Sequence, residues 1–138
     1  MGQTDISAVC KNMRISGWLS TAGAEMGPDL NIQEIFMVKH IVLWDFAEGL
    51  SRDEKNEAAE KMASLLEPIR ELVPGAVEIR VVQNQLSSSN RDIALISTFE
   101  TLDALMTYQN HPAHVEAGKY VRSVTCNRAC MDYEFASK

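Results

Sequence analysis

Tyr108 and His114 are the residues of this 138-residue chain whose types and spacing best suit chemistry. A phenol and an imidazole directed into one cavity supply an oxyanion donor and a general base that works near neutral pH. The pair also admits a purely structural reading, in which Tyr108 is a core aromatic with its hydroxyl at the rim. His40, His111 and His114 are the histidines of the chain. His40, in Val38-Lys-His-Ile41, serves either a site or the core as a hydrogen-bonded residue. His111 and His114 bracket Pro112-Ala113 and suit surface positions or helix caps. Imidazole is a common zinc ligand, but no carboxylate or fourth ligand stands at a telling spacing from these three, so no metal is expected.

Cys126 and Cys130 are four residues apart in a strand-like segment. That spacing puts both on one face, where they are expected as buried or half-buried free thiols. With Cys10 they make an odd number without a regular framework, which points to a reducing, cytoplasmic setting.

Charge narrows the partners. There are 19 acidic and 13 basic residues, a net charge of −6. A surface of that sign repels phosphate backbones and anionic lipid, which argues against nucleic acid or membrane as a partner. No run approaches the roughly 18 apolar residues of a membrane span. Ile6–Cys10 is too short for a signal-peptide core, and Lys11 and Arg14 follow it.

These side chains need elements to hold them, and the elements begin at Met37. Residues 1–36 lack a sustained period and are expected to be a disordered or weakly helical extension. A start at Met37 would leave a domain long enough for one core. Met37–Phe46 alternates with apolar residues in both sets, which predicts a strand covered on both faces. Ser51-Arg-Asp-Glu54 matches a capping box and opens a helix with Ala58, Met62, Leu65, Leu66, Ile69 and Leu72 on its apolar face. Pro68 should kink or divide that helix, and Pro74-Gly75 should stop it. Strands are predicted over Ala76–Gln83, Ile93–Phe99 and Cys126–Phe135. Between the last two lies a helix over Leu102–Tyr108, with Leu102, Leu105 and Met106 as its buried stripe. A further helix opens at Pro112 and runs to about Arg122. The order β-α-β-β-α-β is the ferredoxin-like α+β pattern. Helices on one side leave the other sheet face apolar and bare, so pairing of two sheets in a homodimeric α/β barrel is expected.

Val38-Lys-His-Ile-Val-Leu-Trp-Asp-Phe46, Pro74-Gly75, Tyr108-Gln-Asn-His-Pro-Ala-His-Val115 and the late Asp132-Tyr133 together resemble the stress-responsive dimeric α/β-barrel (Dabb) family. The likeness spans Met37–Phe135. It implies a homodimeric barrel, frequently of unassigned biochemical role and linked to stress responses. One plant member of the family is a polyketide cyclase that performs an intramolecular aldol condensation. By that resemblance His114 is the base, Tyr108 its support and His40 a further pocket residue. A third-strand histidine of that enzyme is matched here by an apolar residue, Ile93, and the His-Pro-x-His string is also widespread in members with no known cyclase role.

Three readings follow. The first is a Dabb homodimer of unassigned role that binds a small hydrophobic ligand through His40, Tyr108 and His114. The second is an enzyme needing no cofactor, with His114 as base and Tyr108 as donor on an enolisable substrate. The third is an interaction module whose N-terminal segment recruits a partner.

Overall fold

Side chains alternate across an extended chain, and in β1 (Ile35–Phe46) that alternation divides the strand sharply. Val38, His40, Val42, Trp44 and Phe46 are buried, while Lys39 and Ile41 are half-buried and Leu43 is exposed. Among the described residues the second face is therefore not covered. The computed structural model describes residues 35–137. The expectations for residues 1–34 lie outside the described residues. β1 begins two residues before Met37, and Ile35 and Phe36 pair with Ser137 and Ala136.

Local chemistry accounts for the helices. Helix α1 (Arg52–Leu66) starts on the capping box, Ser51 accepting from the Glu54 amide and Glu54 accepting in return from the Ser51 amide. Pro68 ends the α-helical hydrogen-bonding, and the chain continues as a 3-10 turn over Glu67–Glu71. Gly75 then turns at φ +88°, and a Cβ there would stand 2.9 Å from the Ala104 Cβ, so both backbone and space demand glycine. After β2 (Ala76–Gln83) and β3 (Ile93–Phe99), Thr101 caps helix α2 (Leu102–Asn110). His111 ends α2 and opens α3 (Pro112–Val124), its Nδ1 accepting from the Ala113 amide at 3.0 Å. Pro112 takes the first position of α3, where its missing N–H costs nothing. Strand β4 (Thr125–Ser137) closes the domain.

The sheet is antiparallel with order β2-β3-β1-β4. With the helices it forms a ferredoxin-like α+β fold. The buried face of β1 packs with Met62, Leu66, Ile69, Leu105, Tyr108, Ala117 and Val121 from the helical side. Each large apolar side chain buried there contributes about 1.5–3 kcal/mol.

Two expectations need correction. In α2 the buried residues are Ala104, Leu105 and Tyr108, whereas Leu102 and Met106 are about half exposed. Tyr108, not Leu102 or Met106, fills the core-facing position because α2 presents the 104/105/108 arc to the sheet. The cysteines are both exposed and lie on opposite sheet faces. Cys126 pairs with Asp45 and Cys130 with Val42, and between Leu43 and Asp45 the β1–β4 register shifts by one residue. This is a bulge around Asn127, at φ 58°. The extra residue reverses the alternation on which the one-face inference rested.

The face of the sheet away from the helices carries Ile41, Leu43, Ala94, Ile96, Met131 and Tyr133, aligned by the strand registers. Met131 is 55% exposed and Tyr133 41%. No helix among the described residues is long and apolar enough to cross a membrane.

Candidate functional site

Three elements deliver His40, Tyr108 and His114 to one cavity of about 290 Å³ on the helical side of the sheet. His40 comes from the buried face of β1, Tyr108 from the inner arc of α2, and His114 from the first turn of α3. Its apolar walls include Val42, Trp44, Leu66, Leu95 and Val121. His111 is a helix cap and does not line the cavity. Nor does Ile93: the residue of β3 that does is Leu95, because Ile93 pairs with Trp44 further along the ladder.

The Tyr108 and His114 rings lie with centroids 4.5 Å apart, and those of His40 and Tyr108 6.2 Å apart edge to face. Tyr108 is wholly buried and its hydroxyl has no hydrogen-bond partner among the described residues. That corrects the structural reading of a hydroxyl resting at the rim. Burial pushes its pKa well above the ordinary tyrosine value, so the group remains a protonated donor. Buried polar groups are nearly always paired, and this orphaned hydroxyl belongs to a residue that lines the cavity.

His114 Nδ1 stands 3.1 Å from the Gln109 carbonyl. A carbonyl oxygen only accepts, so Nδ1 carries the proton and the lone pair of the neutral ring is on Nε2. Desolvation lowers the pKa of His114; the Gln109 hydrogen bond opposes this, while the electrostatic influence of His40, Arg128 and Arg122 adds to it. The ring is thus held in the neutral form a general base requires.

Asp132 is the member of the site that sequence reading missed as a functional group. Its Oδ1 lies 2.5 Å from His40 Nδ1, and the two residues face each other directly across the β1–β4 ladder. His40 Nδ1–H donates to the carboxylate, which leaves Nε2 outside this bond. Ser97 Oγ donates to the His40 carbonyl at 2.7 Å and braces the backbone at the same residue. Only the register, which spacing along the chain does not encode, could have disclosed the Asp132 pairing.

His40 Nδ1, Cys130 Sγ and Asp132 Oδ1 lie within 4.8 Å of one another, a donor set that could suggest a cation. Tetrahedral zinc holds its nitrogen and oxygen ligands about 3.4 Å apart. The 2.5 Å His40–Asp132 contact is too short for that and is a direct hydrogen bond. Burial, followed by the Asp132 charge, pushes the Cys130 thiol up, so it stays protonated and donates to Asp132 at 3.7 Å. These three form a hydrogen-bonded cluster as they stand.

Arg122, Arg128 and Gly118 also line the cavity and escaped the sequence reading. Their only signal was two arginines flanking the start of β4.

The His114 and Tyr108 rings, side by side at this cavity, coincide with the fold and motif of one family. The model of the stress responsive A/B barrel domain matches residues 38–135. The chain belongs to that family. An uncharacterized protein of Streptomyces coelicolor is 31% identical over 103 residues, 72% of this chain and 100% of that one. The crystal structure of a dimeric ferredoxin-like protein of unknown function from Bacteroides fragilis is 35% identical, with a TM-score of 0.66. It covers 72% of this chain and 96% of its own. A hydroxynitrile lyase of Passiflora edulis superimposes with a TM-score of 0.60 at 15% identity, over 72% of this chain and 93% of its own. At that identity the likeness is one of fold alone.

Proposed function

We propose that this A/B barrel protein is a homodimer that binds a small, largely apolar ligand in the cavity and performs acid–base chemistry on it without a cofactor. The observation that carries the reading is the orphaned Tyr108 hydroxyl beside the neutral His114 ring. His114 Nε2 removes a proton from carbon next to a carbonyl, and Tyr108 donates a hydrogen bond to the oxygen on which charge develops. His40, oriented by Asp132, forms the facing wall. An intramolecular aldol condensation begins with such a proton abstraction, so a polyketide-cyclase-like reaction is one expression of this chemistry. A role in stress tolerance, in the cytoplasm, would follow from the identity of the substrate.

The homodimer is supported by the apolar sheet face centred on Ile41, Ile96 and Met131, and by the dimeric state of the Bacteroides fragilis relative. A face of that composition would be covered by its equivalent on a second copy.

The test is deuterium exchange from solvent into the acidic carbon of ethyl acetoacetate, followed by NMR. The full chain should accelerate exchange, and His114→Ala should abolish the acceleration while the dimer persists. Unchanged exchange in that variant excludes the base assignment. Native mass spectrometry of the purified protein separately reveals a co-purifying small molecule; a bound ligand without any exchange activity would favour the non-catalytic binding role.

A further inference from the structure

We infer that the ligand of this cavity is a small carboxylic acid, whose carboxylate is taken by Arg128 and Arg122 and whose other end accepts from Tyr108. The inference rests on the cavity being the ligand site proposed above and names the class of molecule it takes.

The chain is acidic, yet among the described residues the cavity wall carries two arginines, two histidines and no acidic side chain. The nearby carboxylate, Asp132, is engaged by His40. Among the described residues no carboxylate lies within ion-pair distance of Arg122 or Arg128. Their charge is already felt inside, since both lower the pKa of His114.

Each arginine owes its position to a local departure from regular structure. Arg128 follows Asn127, which adopts φ 58° at the β4 bulge. Left-handed backbone is unfavourable for most residues and tolerable for asparagine, and here Asn127 Nδ2 also donates to Asp45 at 2.8 Å. Regular alternation from Thr125, which pairs with Phe46 on the cavity side, would send Arg128 to the opposite face. The extra residue returns it to the cavity. Bulges concentrate beside functional sites for this reason.

Arg122 sits one helical turn after Gly118 in α3. A Cβ on Gly118 would stand 3.1 Å from Arg122 Nη1, so the bare glycine lets the guanidinium lie back along the helix at the cavity wall. Glycine in a helix interior is unfavourable relative to alanine, a cost that this placement explains.

The orphaned Tyr108 hydroxyl is the independent sign that a ligand belongs here. Two guanidiniums match a carboxylate through paired N–H donors. The cavity is at the small end of the roughly 300–1,000 Å³ typical of ligand pockets, which fits a molecule of one ring or a short chain.

The test is calorimetric titration of the full chain with benzoate and acetoacetate, each beside its neutral amide. The acids should bind about tenfold or more tightly than the amides, and Arg128→Gln and Arg122→Gln should each remove most of that preference. Arg128→Lys should restore part of it, as a point charge without the paired donors. Amides binding as well as acids, or acids unaffected in both glutamine variants, overturns this inference and leaves the ligand-site reading standing. Failure of all four compounds to bind overturns both.

Discussion

Asp132 and His40 stand opposite each other on neighbouring strands, the carboxylate 2.5 Å from an imidazole nitrogen whose side chain is 3% exposed. The aspartate is itself 41% exposed, so it connects a buried ring to the surface of the domain. Asp132→Ala leaves a buried N–H without its acceptor. The expected loss is about 1–3 kcal/mol of folding stability, read from urea denaturation, together with a changed His40 tautomer in nitrogen-detected NMR. An unaltered imidazole spectrum would show that the carboxylate does not set the ring.

Tyr108→Phe separates stability from function. Removing a buried hydroxyl that has no partner should leave stability unchanged or raise it by about 1 kcal/mol. Ligand affinity and proton-exchange activity should nonetheless fall, because the donor is gone. A large loss of stability instead would mean that the hydroxyl is satisfied in solution by a tightly held partner.

His114 has a folded-state pKa below the ordinary histidine value, chiefly through desolvation. The unfolded chain therefore binds the proton more readily, so stability rises with pH across the interval between the two values. The contribution is complete above about pH 6.5, the unfolded value, and is lost as pH falls through the folded pKa. Exchange activity should follow the same neutral form and decline on acidification. In His114→Gln the portion of the stability slope due to this group should vanish when denaturation is repeated across pH 5–7.

Gly118→Ala should raise thermal stability by about 0.5–1 kcal/mol through helix propensity. The added methyl meets the mobile end of Arg122, so folding suffers little. Carboxylate affinity should fall as the guanidinium is displaced. A variant that is both more stable and equally competent would remove Gly118 from the site.

Ile41→Asp places a charge at the middle of the sheet face away from the helices, between Ile96 and Met131. Sedimentation should show the dimer replaced by a folded monomer, since an unpaired charge is costly to bury. An unaltered dimer would locate the interface elsewhere.

The strands, the capping box at Ser51–Glu54, the division of the first helix at Pro68 and the opening of α3 at Pro112 were all legible in the sequence. Each arises from side-chain period or from the backbone chemistry of one residue, and both act over a single turn of chain. The convergence of His40, Tyr108 and His114 was anticipated through the family motif. Tertiary structure alone decided what these residues touch. It turned Tyr108 inward and Leu102 and Met106 outward, chose Leu95 over Ile93 for the cavity wall, and joined Asp132 to His40 across 92 positions of sequence. It also separated Cys126 from Cys130 and brought Arg128 to the cavity through one left-handed residue. The physical reason is that a sheet has a period of two: a single inserted residue exchanges its faces, and only the pairing of distant strands shows where that insertion falls.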